Sequence, residues 1–118
     1  MSPVVGVLLA AMTAGAGPWD RRTHFTFSGP VAVPGLTLPA GEYIFRLVDT
    51  IDRSVIQVLS ADGQQSYAMF FGHRVFRTDV LTVPELRFME TAAGMPPAIE
   101  SWWYPGVRDG YEFLYLGE

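Results

Sequence analysis

Apolar and polar residues alternate with a period of two along most of the chain, in short runs separated by turn residues. His24-Phe25-Thr26-Phe27-Ser28 places Phe25 and Phe27 on one face, because successive side chains of a strand point to opposite sides. Tyr43, Phe45 and Leu47 alternate in the same way within residues 43–48. Residues 54–59 and 67–71 flank Ser60-Ala61-Asp62-Gly63-Gln64-Gln65, which predicts a hairpin. There Asp62 can open the turn and Gly63 can take a positive φ without a Cβ clash. Runs at 86–91, 98–104 and 111–116 complete the set.

Turn signals such as Gly29-Pro30, Pro34-Gly35, Asp62-Gly63, Pro96-Pro97 and Asp109-Gly110 recur about every 8–12 residues. No stretch carries a sustained helical stripe; the best helical candidate, 53–60, is short and rich in β-branched residues. The pattern therefore predicts an all-β fold, an antiparallel two-sheet β-sandwich of about seven to nine short strands, with a flattened barrel as the alternative. In the last run Tyr111, Phe113 and Tyr115 share one face and Leu114 and Leu116 the other. Two apolar faces predict a central strand covered on both sides. Residues 31–38 and 81–88 share an apolar-x-Val-Pro-x-Leu-x-apolar pattern. The common proline removes a ladder donor and marks an edge or a kink, so the echo does not require a duplication.

The first sixteen residues break the pattern. Residues 1–16 carry no charged side chain, and an apolar run through Val4, Leu8 and Met12 ends at Ala14-Gly15-Ala16. A short apolar run closed by a small-x-small site is the layout of a secretory signal peptide. It is too short for a membrane span, which takes about 20 residues. The basic residue expected before the run is missing from Met1-Ser2-Pro3. The reading is a signal peptide at 1–16 and a single β domain at 17–118, with Trp19 anchoring the mature N-terminus. Export to the periplasm, the cell surface or the medium follows from it.

Composition narrows the chemistry. The 118 residues include 17% charged side chains and a net charge of −4, which argues against a phosphate-backbone partner and so against nucleic acid. There is no Cys, hence no disulfide, no thiolate metal site and no catalytic thiol. Asn and Lys are also missing and all eight cations are Arg; without Asn there is no N-glycosylation sequon, and the bias matches a GC-rich genome. His24 and His73 are the two histidines and form no metal-ligand spacing. None of Ser28, Ser54, Ser60, Ser66 and Ser101 sits in a nucleophile-elbow motif. Asp49 and Asp52 flank a turn that lacks the ligand density of a calcium loop. Glu90 and Glu100 form a carboxylate pair on paper only. The expectation is no cofactor, no metal and no enzyme.

Aromatic residues make up 14% of the chain, and Trp102-Trp103-Tyr104-Pro105-Gly106 is their densest group. Only one of two adjacent indoles can enter a core from a regular strand. The other can join Tyr104 in an exposed stacking platform, unless a covering loop or a second sheet face buries both. The candidate ligand-binding residues are Trp102, Trp103 and Tyr104, with Arg108 and Asp109 at the rim. The expected partner is a carbohydrate or other extracellular polymer, or a small apolar ligand. The alternative is a structural or self-assembling cell-envelope protein that associates by pairing strand edges.

Five segments carry a further signal: Trp19-Asp20-Arg21-Arg22-Thr23, 26–35, Leu38-Pro39-Ala40-Gly41-Glu42-Tyr43, Trp103-Tyr104-Pro105-Gly106 and Gly110-Tyr111-Glu112-Phe113. In these the chain resembles a group of small exported bacterial all-β proteins without an assigned activity. The resemblance implies export and a β-sandwich, and it implies no reaction and no site residues.

Overall fold

The computed structural model describes residues 21–49 and 54–115. The signal-peptide segment, Trp19 and the Asp49–Asp52 turn at residues 50–53 lie outside the described residues. Among the described residues nine strands form: β1 (Arg22–Phe27), β2 (Val31–Val33), β3 (Leu36–Leu38), β4 (Gly41–Asp49), β5 (Ser54–Ser60), β6 (Ser66–Phe76), β7 (Glu85–Met89), β8 (Ala98–Trp103) and β9 (Asp109–Phe113). The described residues contain no helix, and so none long and apolar enough to cross a membrane.

The architecture is all-β, as the alternation requires, but the strands belong to one sheet rather than two. Its order is β1-β4-β5-β6-β9-β8-β2-β3, with β7 on β8. Every pairing is antiparallel except a single parallel bridge between β2 and β8 at Ala32 and Ala98. The sheet makes a sandwich by curling over its own core. Strands β4 and β8 are four steps apart in that order, which in a flat sheet is about 19 Å. Yet the rings of Phe45 and Trp102 lie 6.1 Å apart, edge to face. The chain also runs from β1 to β2 through only Ser28-Gly29-Pro30 and from β3 to β4 through Pro39-Ala40. Such links bring the two ends of the sheet close together. The sheet is not closed: among the described residues no ladder joins its ends.

Alternation sets the core. In β1, Thr23, Phe25 and Phe27 are buried while Arg22, His24 and Thr26 face out. Tyr43, Phe45 and Leu47 of β4, Ile56 and Val58 of β5, Phe70 of β6, and Tyr111 and Phe113 of β9 fill the interior. Phe25, Phe45, Trp102 and Phe113 are joined through edge-to-face and stacked contacts centred on Phe45. Each large ring buried in this way contributes roughly 1.5–3 kcal/mol of transfer free energy.

The predicted hairpin forms between β5 and β6, with Gly63 at φ 77°. Asp62 Oδ1 accepts from the Ser60 hydroxyl at 2.6 Å and from the Gln64 amide at 2.9 Å. Beyond it the register slips at Val58/Leu59, and the bulge turns the Tyr67 ring onto Tyr43 at 5.7 Å. The two echoed prolines both fall at edges. Pro34 and Gly35 (φ 83°) make the tight β2–β3 turn, and Pro84 precedes the edge strand β7. Strand β9 is central, between β6 and β8. It is not covered on both sides throughout, because Leu114, just past its end, is 44% exposed.

Candidate functional site

The Trp102-Trp103 pair does not make an exposed platform. Trp102 points inward and is 1% exposed; Trp103 points to the other face and is 6% exposed. The strand rule that separates the two rings holds, and the outer ring is covered as well. Its Nε1 donates to Ser101 Oγ at 2.9 Å. The Arg77 guanidinium lies 4.9 Å from its ring centroid, and the ring passes over Gly110 of β9. Arg77 is itself fixed by Asp79, with Nε to Oδ1 at 2.8 Å, and by Glu85 Oε1 at 3.6 Å. The hydrogen bond to Asp79 raises the Arg77 pKa and lowers that of Asp79. The chain after β6 carries this lid: Arg77 N donates to Arg108 O, and Gly106 N to Leu81 O.

Of the other predicted site residues, Tyr104 and Asp109 are brought together by Arg21, and Arg108 stands apart. Tyr104 is half-buried against the core under Arg21, whose guanidinium is 5.5 Å from its ring centroid. Arg108 is exposed. Asp109 is drawn inward between Arg21 at 3.4 Å and Arg74 at 3.7 Å. Arg21 NH1 also donates to the Tyr111 hydroxyl at 3.0 Å. This cluster ties the chain entering β1 to β9 across the interior. It is an internal brace, not the rim of a platform.

Ser101, Glu112 and His73 occupy adjacent positions across β8, β9 and β6. That order puts the carboxylate between the hydroxyl and the imidazole, whereas a triad needs the imidazole in the middle. Glu90 and Glu100 line different cavities. Among the described residues no group of three or more His, Asp or Glu is placed to hold a metal ion.

A groove of about 1060 Å³ lies at the β2–β3 end of the sheet. The β2–β3 hairpin forms one wall, the chain leaving β7 the other, and residues 112–115 lie along it. Its apolar surface comes from Val33, Leu36, Met89, Met95, Phe113 and Leu114. Of these, Leu36 is 41%, Leu114 44% and Met95 62% exposed. Tyr115 holds the segment in place: its hydroxyl donates to Ile99 O at 2.6 Å, with Ala32 O at 3.2 Å. Burial pushes that phenol well above its ordinary value, so it remains a donor throughout the physiological range. A second depression, about 180 Å³, is lined by Phe76, Arg87, Glu100, Ser101, Trp103 and Glu112, among others.

The sequence reading missed the groove. Its one local signal is Met95, an apolar residue inside the turn-rich run Ala93-Gly94-Met95-Pro96-Pro97, where burial in a strand cannot explain it. No family model, curated protein or solved structure matches the chain.

Proposed function

We propose that the chain is an exported, non-catalytic binding protein that holds an elongated apolar ligand in the groove between the β2–β3 hairpin and the chain leaving β7. The observation that carries this reading is the groove's size and lining. At about 1060 Å³ it matches the upper range of small-molecule sites, roughly 300–1,000 Å³. Two Met and two Leu side chains supply an adaptable apolar surface. Export rests on the uncharged, apolar run at residues 1–16. The carbohydrate alternative loses its main support, because neither Trp102 nor Trp103 offers a face to stack on.

Edge pairing, the self-assembly alternative, has less in its favour. The outward positions of β1 are Arg22, His24 and Thr26, and those of β7 include Glu85 and Arg87. Charges at these two edges oppose strand addition, and the third edge, β3, is uncharged but only three residues long.

The test is saturable binding of the neutral dye N-phenyl-1-naphthylamine, read by fluorescence. Leu36→Asp and Met95→Asp should each weaken binding by about tenfold or more, since each buries a charge against the ligand. Met69→Asp, a substitution at a 58% exposed position of β6 outside the groove, should leave binding unchanged. Binding that is absent, or indifferent to Leu36 and Met95, would reject the reading.

A further inference from the structure

Resting on the reading above, we infer that the groove selects an amphiphile with a cationic head, not a fatty acid or another anionic lipid. Among the described residues that line it, the charged ones are Glu90 and Glu112, and none is basic. Glu90 follows the end of β7 on one wall, and Glu112 belongs to β9 beside Phe113 and Leu114. The apolar side chains between these positions accept a hydrocarbon chain. A ligand lying along them carries its polar end toward a carboxylate.

Charge of one sign in a partly desolvated cleft focuses the field on the occupant. It attracts a cation and repels a carboxylate or phosphate head, and repulsive elements of this kind set specificity as much as attractive ones do. The chain's net charge of −4 adds to the same preference at long range. His73 and Ser101 stand on either side of Glu112 across the ladder. Neither lines the groove; Glu112 also borders the smaller depression, where the basic residue is Arg87, paired with Glu85. Arginines that would suit an anionic head are placed elsewhere: Arg21 and Arg74 at Asp109, and Arg77 and Arg87 at Glu85.

The experiment displaces N-phenyl-1-naphthylamine with three ligands that share one chain: dodecyltrimethylammonium, dodecyl maltoside and dodecanoate, each below its micelle concentration. The expected order is cation, then neutral, then anion, with about tenfold between the first two at low salt. Glu90→Gln combined with Glu112→Gln should bring the cation to within about threefold of the neutral ligand. Both positions are at least partly exposed, so the variant should fold; an unchanged melting temperature checks this. If all three ligands bind alike, or dodecanoate binds best, the head-group preference is overturned while the apolar groove stands. If none displaces the dye, the binding reading itself fails. A dimer in sedimentation velocity that dissociates on Leu36→Asp would put a second copy in the groove, and would likewise overturn the proposal.

Discussion

At the scale of single residues, Trp103 lies against β9 only because position 110 has no side chain. A Cβ there would stand 2.5 Å from Cε3 of the indole and 2.8 Å from the Trp102 carbonyl oxygen. The ring cannot retreat, since Arg77 covers it from above and Ser101 holds its N–H. Gly72 differs. The nearest atom to a Cβ there is the terminal methyl of Ile56, and the next, Tyr111 Cβ, is at an ordinary 3.4 Å. A methyl at the end of a flexible side chain can move aside; a clamped indole cannot. Gly110→Ala should therefore cost about 1–3 kcal/mol, the usual range for overpacking, and Gly72→Ala clearly less. Thermal unfolding of both variants checks the order. In Gly110→Ala alone, the Trp103 emission should also shift to longer wavelength as the lid loosens. Equal losses would mean that the indole is not held from both sides.

At the scale of elements, the β5–β6 turn shows how a loop becomes a fixed part of the fold. Asp62 collects the Ser60 hydroxyl and the Gln64 amide. Ser60 in turn accepts from Gln65 N at 3.0 Å, and Gly63 closes the turn with a positive φ. The Ser60 hydrogen bond, then the one from Gln64, holds the Asp62 carboxyl below its ordinary range. A folded pKa lower than the unfolded one stabilises the protein above the unfolded value, about 3.9, and the effect fades as pH falls through the folded value. Asp62→Ala should thus lower the melting temperature near neutral pH, and its difference from wild type should shrink on acidification below about pH 4. A gap constant down to pH 2.5 would show that the carboxylate's charge does not matter. This turn was legible in the sequence because every determinant lies within six residues. The long strands were legible for a related reason: Phe25, Phe45 and Tyr111 each carry the period-two signal locally. What the sequence hid depends on distant partners. Strands β2 and β3 have three residues each, too few to show a period. The slip that redirects Tyr67 exists only opposite Leu59. Trp103 reads as half of an exposed platform until Arg77 and Gly110 arrive from elsewhere in the chain, and the groove is built from three separate segments.

At the scale of the whole molecule, the sheet's ladder is thinnest between β2 and β8, and a side chain reinforces it there. The link between β2 and β8 is weak as a ladder, with one parallel bridge at Ala32 and Ala98 and a hydrogen bond from Ala32 N to Pro97 O at 2.8 Å. Tyr115 compensates. Its hydroxyl reaches Ile99 of β8 at 2.6 Å and lies near Ala32 of β2 at 3.2 Å, so the tail after β9 fastens the β2–β3 hairpin to the rest of the sheet. The same hairpin is a wall of the groove, so the fastening also shapes the groove. Tyr115→Phe keeps the ring's packing and leaves the Ile99 carbonyl without its donor, a loss of about 1–2 kcal/mol for a partly buried acceptor. The effect should be local. Amide exchange should quicken in 31–38, where few hydrogen bonds tie the hairpin down, and stay unchanged in β4, β5 and β6, which are paired along their full length. A looser wall should also reduce the neutral dye's affinity a few-fold, through the cost of ordering the hairpin on binding. Exchange that rises equally in all strands would mean that Tyr115 supports the whole fold, and that the hairpin is not an independently hinged wall.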